Sequence, residues 1–131
     1  MVIRVASILL RLCGTLALIL GLLFWNRSAL NLIGIHMLLG LLVVVSLWVI
    51  GVGQAFSPGG SWPFAIGALL FGVLVAVVGM RQTSLLPGSF HWVIQVIHLL
   101  LGVLAMGIGQ AGVARSQKGV AVREEALRSP A

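Results

Sequence analysis

One seven-residue pattern, H-x-L-L-G-x-L, occurs twice in the chain, at His36-Met37-Leu38-Leu39-Gly40-Leu41-Leu42 and at His98-Leu99-Leu100-Leu101-Gly102-Val103-Leu104. Both copies lie near the start of a long apolar stretch that predicts a helix. A histidine inside hydrocarbon is costly unless it has a partner, so an intramembrane histidine indicates a functional site. Because the same local setting occurs twice, we interpret the two copies as halves of one paired site.

The composition around these stretches is that of an integral membrane protein. Of the 131 residues, 60% are hydrophobic and only 8% are charged, whereas about a quarter of a typical soluble domain is charged. His36 is the only ionisable residue between Arg27 and Arg81. A transmembrane helix needs about 20 mostly apolar residues. The chain has room for four such helices and little else.

We predict four transmembrane helices at about residues 5–25, 32–52, 64–80 and 91–113. Together they form a transmembrane domain of residues 1–114, and residues 115–131 form a basic, flexible cytoplasmic tail. The connections contain turn-forming sequences, Ser57-Pro58-Gly59-Gly60 and Pro87-Gly88. The predicted fold class is therefore an all-α antiparallel bundle of four membrane-spanning helices.

The charge distribution predicts the orientation of this bundle. The net charge is +6, but the basic residues lie at segment ends rather than on one face, which argues against nucleic-acid binding. Four of the basic residues follow residue 114, while the two connections on the other side carry one arginine each, Arg27 and Arg81. The positive-inside rule then places both termini in the cytoplasm.

Glycines in the odd-numbered helices extend the repeat to two-helix units. Gly14 and Gly21 in the first helix have the same spacing as Gly72 and Gly79 in the third. Seven residues correspond to two helical turns, so each pair forms a small-residue stripe that permits close helix approach. We therefore expect an internal two-helix duplication with a pseudo-two-fold axis, across which His36 and His98 face each other at similar depth.

Haem b is the cofactor that best fits two neutral imidazoles facing each other in an apolar bundle, because haem iron takes axial ligands from opposite sides. His36 and His98 would be these ligands. Gly40 and Gly102, each four residues later on the same helical face, would leave room for the porphyrin or a neighbouring helix. Arg27 and Arg81 would be the cations for the haem propionates.

Other interpretations of the histidines remain open at this stage. His91, seven residues before His98, is either an interfacial residue beside Trp92 or a secondary contact to the cofactor. His36 and His98 themselves are alternatively held by hydrogen bonds to serine, threonine or backbone groups. Zinc is disfavoured because no carboxylate or thiolate accompanies the histidines, and nucleophilic catalysis lacks an intramembrane acid to orient a base.

The third helix, Ala68-Leu69-Leu70-Phe71-Gly72-Val73-Leu74-Val75-Ala76-Val77-Val78-Gly79, and the Ile97-His98 dipeptide of the fourth follow a histidine-bearing second helix. In this order the chain resembles one four-helix half of the haem A synthase family, over most of residues 5–113. The resemblance implies that histidines on the second and fourth helices, here His36 and His98, face a haem. Ile33 stands where the family has a glutamate, and the short 26–31 connection lacks its cysteine pair. Oxidation of a haem methyl is therefore not expected, and we lean against an enzyme.

The sequence thus predicts a b-type haem protein with bis-histidine ligation, in the cytoplasmic membrane of a prokaryote. Its function would be electron transfer or haem handling linked to respiratory oxidase assembly. The expected partners are the lipid bilayer, haem, and a larger respiratory membrane complex or further copies of the chain. The alternative is a small structural or assembly subunit of a larger membrane complex, with no cofactor and with histidines that only form hydrogen bonds.

Overall fold

The computed structural model describes residues 1–128 and contains four long α-helices. These are α1 (Val2–Trp25), α2 (Ile33–Ala55), α3 (Trp62–Arg81) and α4 (His91–Arg128), with one 3₁₀ turn at Leu30–Leu32 before α2. No β-strand is present in the described residues. Each of the four helices is long and apolar enough to cross a membrane. The predicted all-α, four-helix membrane fold is confirmed.

The reversal between α2 and α3 is fixed by a buried side chain. Gln54 is fully buried, and its amide nitrogen donates a hydrogen bond to the carbonyl oxygen of Ser61 at 2.7 Å. Its amide oxygen accepts from the backbone N–H of Ser61 at 3.4 Å. Ser61 is also the N-cap of α3, because its Oγ accepts from the backbone N–H of Phe64. These bonds turn the chain sharply and make α2 and α3 antiparallel.

The fourth helix is longer than the sequence predicted. We expected it to end near residue 113 and to be followed by a flexible tail, but α4 continues without a break to Arg128. Residues 114–128 contain no proline and are rich in alanine, arginine and glutamate, which are good helix formers. The extension also packs against the α2–α3 connection, since the Oγ atoms of Ser57 and Ser116 lie 2.7 Å apart. The last three residues of the predicted tail lie outside the described residues.

A narrow apolar core runs between the helices. Its fully buried side chains include Leu10 on α1 and Val44, Leu47 and Ile50 on α2. Many other large apolar side chains point outward on every helix, and 17% to 28% of the residues in the candidate spans are buried. In a bilayer these outward faces contact lipid, so packing between helices depends on close approach of small residues.

The glycine stripes provide this close approach. A side chain at Gly14 on α1 would collide with Met106 on α4, and one at Gly72 on α3 would collide with Trp48 on α2. Gly14 and Gly72 therefore each pack an odd-numbered helix against the even-numbered helix of the other pair. The predicted packing role is seen directly for these two glycines.

Two polar contacts between the helix pairs are repeats of each other. Arg11 Nη2 on α1 donates to Gln110 Oε1 on α4 at 2.8 Å, and Trp48 Nε1 on α2 donates to the carbonyl oxygen of Leu69 on α3 at 3.1 Å. Arg11 and Leu69 have the sequence offset that relates the two glycine stripes, and Trp48 and Gln110 have the offset that relates the two histidines. The two-helix duplication is thus present in the contacts as well as in the sequence.

Candidate functional site

The two histidines of the repeated pattern lie next to each other. His36 is in the first turn of α2 and His98 is between the second and third turns of α4. Their imidazole centroids are 6.2 Å apart, with an angle of 66° between the ring planes. Both side chains are partly buried. The fold therefore brings together the residues that the sequence paired.

Each ring has a buried nitrogen without a hydrogen-bond partner. The Nδ1 atoms of His36 and His98 are buried, and nothing in the described part of the chain is bonded to them. The Ala17 backbone on α1 lies beside the His36 ring, while the Nδ1 atom of His36 has no hydrogen-bond partner in the described residues. A buried polar atom left unpaired costs about 1–3 kcal/mol. No serine, threonine or backbone partner is found at Nδ1 in residues 1–128, and the alternative in which hydrogen bonds alone hold these histidines stays a prediction.

Glycines of the odd-numbered helices form the walls beside the rings. A Cβ atom at Gly21 on α1 would lie 3.6 Å from Cε1 of His36, and one at Gly79 on α3 would lie 2.9 Å from Cε1 of His98. From the sequence we assigned both glycines to helix packing only. Their equivalent positions, one against each histidine, make them part of the site.

Phe24 is a further neighbour that the sequence reasoning missed. Its ring meets His36 edge to face, with the centroids 5.3 Å apart. Phe24 lies three residues after Gly21, on the same face of α1, and this spacing was the available signal. The equivalent position on α3 is Gln82, so the aromatic neighbour belongs to the His36 half.

The open faces of the two helices carry the glycines of the repeated pattern. A Cβ atom at Gly40 or at Gly102 would meet nothing within 4 Å. Neither glycine therefore provides the close contact with a neighbouring helix that we considered. Their other predicted role, leaving space beside the histidines, stays a prediction.

The remaining predicted site residues lie in the connections at the same end of the bundle. Arg27 is exposed in the α1–α2 connection, and Arg81 is the exposed last residue of α3. His91 Nδ1 is 3.3 Å from the carbonyl oxygen of Leu85. This contact ties His91 to the α3–α4 connection and agrees with an interfacial position. A secondary contact of His91 to a cofactor stays a prediction.

His36 and His98 suit a metal ion whose other ligands come from a cofactor rather than from the protein. Within residues 1–128 there is no group of three or more histidine, cysteine, aspartate or glutamate side chains placed to hold a metal ion. Two imidazoles alone complete the coordination of haem iron, whose other four ligands come from the porphyrin. Because a metal–imidazole bond is about 2 Å long, two imidazoles on opposite sides of one metal ion have centroids about 6 Å apart. The separation of 6.2 Å is close to this value, and it is also within the range of an ordinary edge-to-face contact between two rings.

No family model, curated protein or solved structure matches the chain. The resemblance to the haem A synthase family therefore stays a prediction, and the case for the site depends on the chain's own residues and contacts.

Proposed function

We propose that this chain is a b-type haem-binding protein of the membrane, with His36 and His98 as the two axial ligands. The observation that carries the proposal is the histidine pair itself, with centroids 6.2 Å apart and a buried, unpartnered Nδ1 on each ring. In an apolar bundle, two neutral imidazoles without hydrogen-bond partners are costly. A metal ion bound by both rings would compensate for the missing hydrogen bonds. Haem would supply a one-electron redox centre.

The chain's own residues would position the two rings and exclude water. Gly79 leaves just enough space for the His98 ring, and Phe24 covers one edge of His36. The spans around them are apolar. The contacts limit rotation of the rings, and the apolar surroundings would keep a redox centre away from solvent.

Anion recognition would fall to the arginines at this end of the bundle. Arg27 and Arg81 are exposed at the ends of the connections nearest the histidine pair. Arginine holds carboxylates through two parallel hydrogen bonds. We assign them to the haem propionates as part of the proposal.

Electron transfer or haem handling suits the site better than oxidation chemistry. Ile33, three residues before His36, is an exposed apolar residue, and the only two acidic residues of the chain are Glu124 and Glu125 in the α4 extension. No carboxylate is therefore available within the spans to move a proton. We propose that the protein serves a respiratory oxidase or its assembly, in the cytoplasmic membrane of a prokaryote.

An absorption spectrum tests the proposal. The full chain is expressed with ample haem, purified in detergent, and measured oxidised and after dithionite reduction. We expect the spectrum of six-coordinate low-spin haem b at about one haem per chain. The matched control is the double variant His36→Ala/His98→Ala, which should bind no low-spin haem. A colourless wild-type protein would remove the haem proposal and leave the structural-subunit alternative in its place.

A further inference from the structure

A second candidate site lies at the opposite end of the bundle from the histidine pair. A cavity of about 940 Å³ opens between α1 and α4, beside the end of α2. From α1 it is lined by Arg4, Ser7 and Arg11, whose spacing places them on one face of the helix. From the facing elements it is lined by Ser57, Val113, Ser116 and Gln117.

The cavity is cationic. Its lining includes two guanidinium groups and, among the described residues, no carboxylate. A guanidinium has five N–H donors, and the single side-chain hydrogen bond found for Arg11 goes to Gln110 Oε1. The amide nitrogen of the same Gln110 is buried with no partner in residues 1–128. Arg11 thus has unused donors at the cavity, whereas Gln110 is not among the residues that line it.

The depth of Arg11 makes this arrangement costly without an anion. Arg11 lies six residues inside the first predicted span, about 9 Å at 1.5 Å per residue. A charged side chain at such a depth in a span needs a route to water or a partner of opposite charge. The cavity provides the space for that partner.

The cationic residues of the cavity occur in only one of the two helix pairs. In the other helix pair the position of Arg4 is Trp62 and the position of Arg11 is Leu69. There the equivalent contact between helices is made by Trp48 and the carbonyl oxygen of Leu69, without a charge. The other half thus makes its contact between the helix pairs without a charge, so the arginines add a positive charge that this contact does not require.

We propose that this cavity binds the phosphate group of an anionic amphiphile. Arg4 and Arg11 would hold the phosphate, because arginine matches phosphate oxygens in a two-point geometry. The apolar side chains of Val2, Ile8 and Val113 also line the cavity and would contact the acyl chains. A free phosphate ion would bind the same two arginines but would make no contact with these apolar side chains.

Lipid titration by native mass spectrometry tests the proposal on the full chain in detergent. Phosphatidylglycerol is added stepwise, with zwitterionic phosphatidylcholine as the comparison lipid. We expect saturable binding of one phosphatidylglycerol, weakened roughly tenfold or more in Arg11→Gln and in Arg4→Gln, since each substitution removes a charge-assisted hydrogen bond to the phosphate. Arg123→Gln is the matched control, because it removes the same charge from the exposed α4 extension outside the cavity.

A competition with inorganic phosphate distinguishes the two sources of the ligand. We expect millimolar phosphate to leave phosphatidylglycerol bound; displacement would overturn the amphiphile and identify a free phosphate site. Arg4→Gln keeps the experiment decisive if Arg11→Gln does not fold, because no hydrogen bond from the Arg4 side chain is found in the described residues. Equal weakening in Arg4→Gln and Arg123→Gln, or equal binding of the two lipids, would show general attraction to charge and would overturn the proposed site.

Discussion

Gly79 on α3 lies against the imidazole of His98 on α4, so closely that a Cβ atom at Gly79 would be 2.9 Å from Cε1 of the ring. The equivalent contact in the other half is looser, since a Cβ atom at Gly21 would be 3.6 Å from Cε1 of His36. A contact of 3.6 Å is an ordinary van der Waals distance, whereas 2.9 Å requires something to move. The two halves of the duplicated bundle thus hold their histidines with unequal tightness.

Gly79→Ala is expected to disturb the site by displacing His98. Inserting one methyl group into such a tight contact costs about 1–3 kcal/mol, so haem affinity should fall by roughly five- to a hundredfold, at 1.4 kcal/mol for each factor of ten. The measurement is haem titration of the apoprotein, followed through the low-spin absorption bands.

Two matched variants accompany this experiment. Gly21→Ala should leave haem affinity within a few fold of wild type, because its Cβ atom fits beside His36. Gly67→Ala, elsewhere on α3 with nothing within 4 Å of its Cβ atom, should change nothing in the spectrum. If Gly21→Ala and Gly79→Ala had equal effects, the difference between the halves would have no functional meaning.

Substitution of the histidines separates ligands from neighbours. His36→Ala or His98→Ala should abolish six-coordinate low-spin haem, since each removes one of two axial ligands. His91→Ala should keep the low-spin spectrum with at most a small shift in potential, because its observed contact is with the Leu85 carbonyl oxygen. Loss of haem in His91→Ala together with a low-spin spectrum in His98→Ala would place the site nearer the surface.

Much of the fold could be predicted because membrane insertion depends on local sequence. Long apolar stretches bounded by charges and turn residues fixed the number of helices and their antiparallel order. The continuation of α4 beyond residue 113 was not predicted, because apolarity marks the part of a helix that can lie in a bilayer and not the residue at which the helix ends. The helix-stabilising contact between Ser57 and Ser116 joins residues far apart in the chain, so local pattern could not reveal it.

The histidine pair at the centre of the site could be predicted from the sequence, whereas the residues that surround it could not. The repeated pattern paired His36 with His98, which the fold brings together. The contact of Gly79 with His98 depends on how α3 is rotated against α4, which is set by packing throughout the bundle. The open space beside Gly40 and Gly102 depends on the same rotation. Sequence spacing gives the face of one helix but not the neighbour that this face meets.

Gly119→Ala is expected to loosen the α4 extension. A side chain at this position would collide with the carbonyl oxygen of Pro58 in the α2–α3 connection. Backbone cannot yield as a flexible side chain can, so the free energy of unfolding should fall by about 1–3 kcal/mol. Thermal unfolding in detergent measures the change in stability. Amide hydrogen exchange of residues 114–128 measures the loosening of the extension.

The control for that variant is another glycine of the same helix. Gly107 has nothing within 4 Å of the place its Cβ atom would take. Gly107→Ala should therefore be neutral or stabilise α4 by up to about 1 kcal/mol through helix propensity. Wild-type stability in Gly119→Ala would mean that the extension does not pack on Pro58 in the membrane.

Orientation in the membrane is tested by labelling single cysteines from each side. Cys13 is buried and is the only cysteine of the chain, so Cys13→Ala provides the background. Ser84→Cys lies in the exposed α3–α4 connection, and Ala121→Cys lies in the exposed α4 extension. Because basic residues concentrate beyond residue 114, we expect a membrane-impermeant maleimide to label Ser84→Cys in intact cells and Ala121→Cys only after the membrane is opened. The reverse pattern would put both termini outside and move the histidine pair to the inner leaflet, where Arg27 and Arg81 would face the cytoplasm.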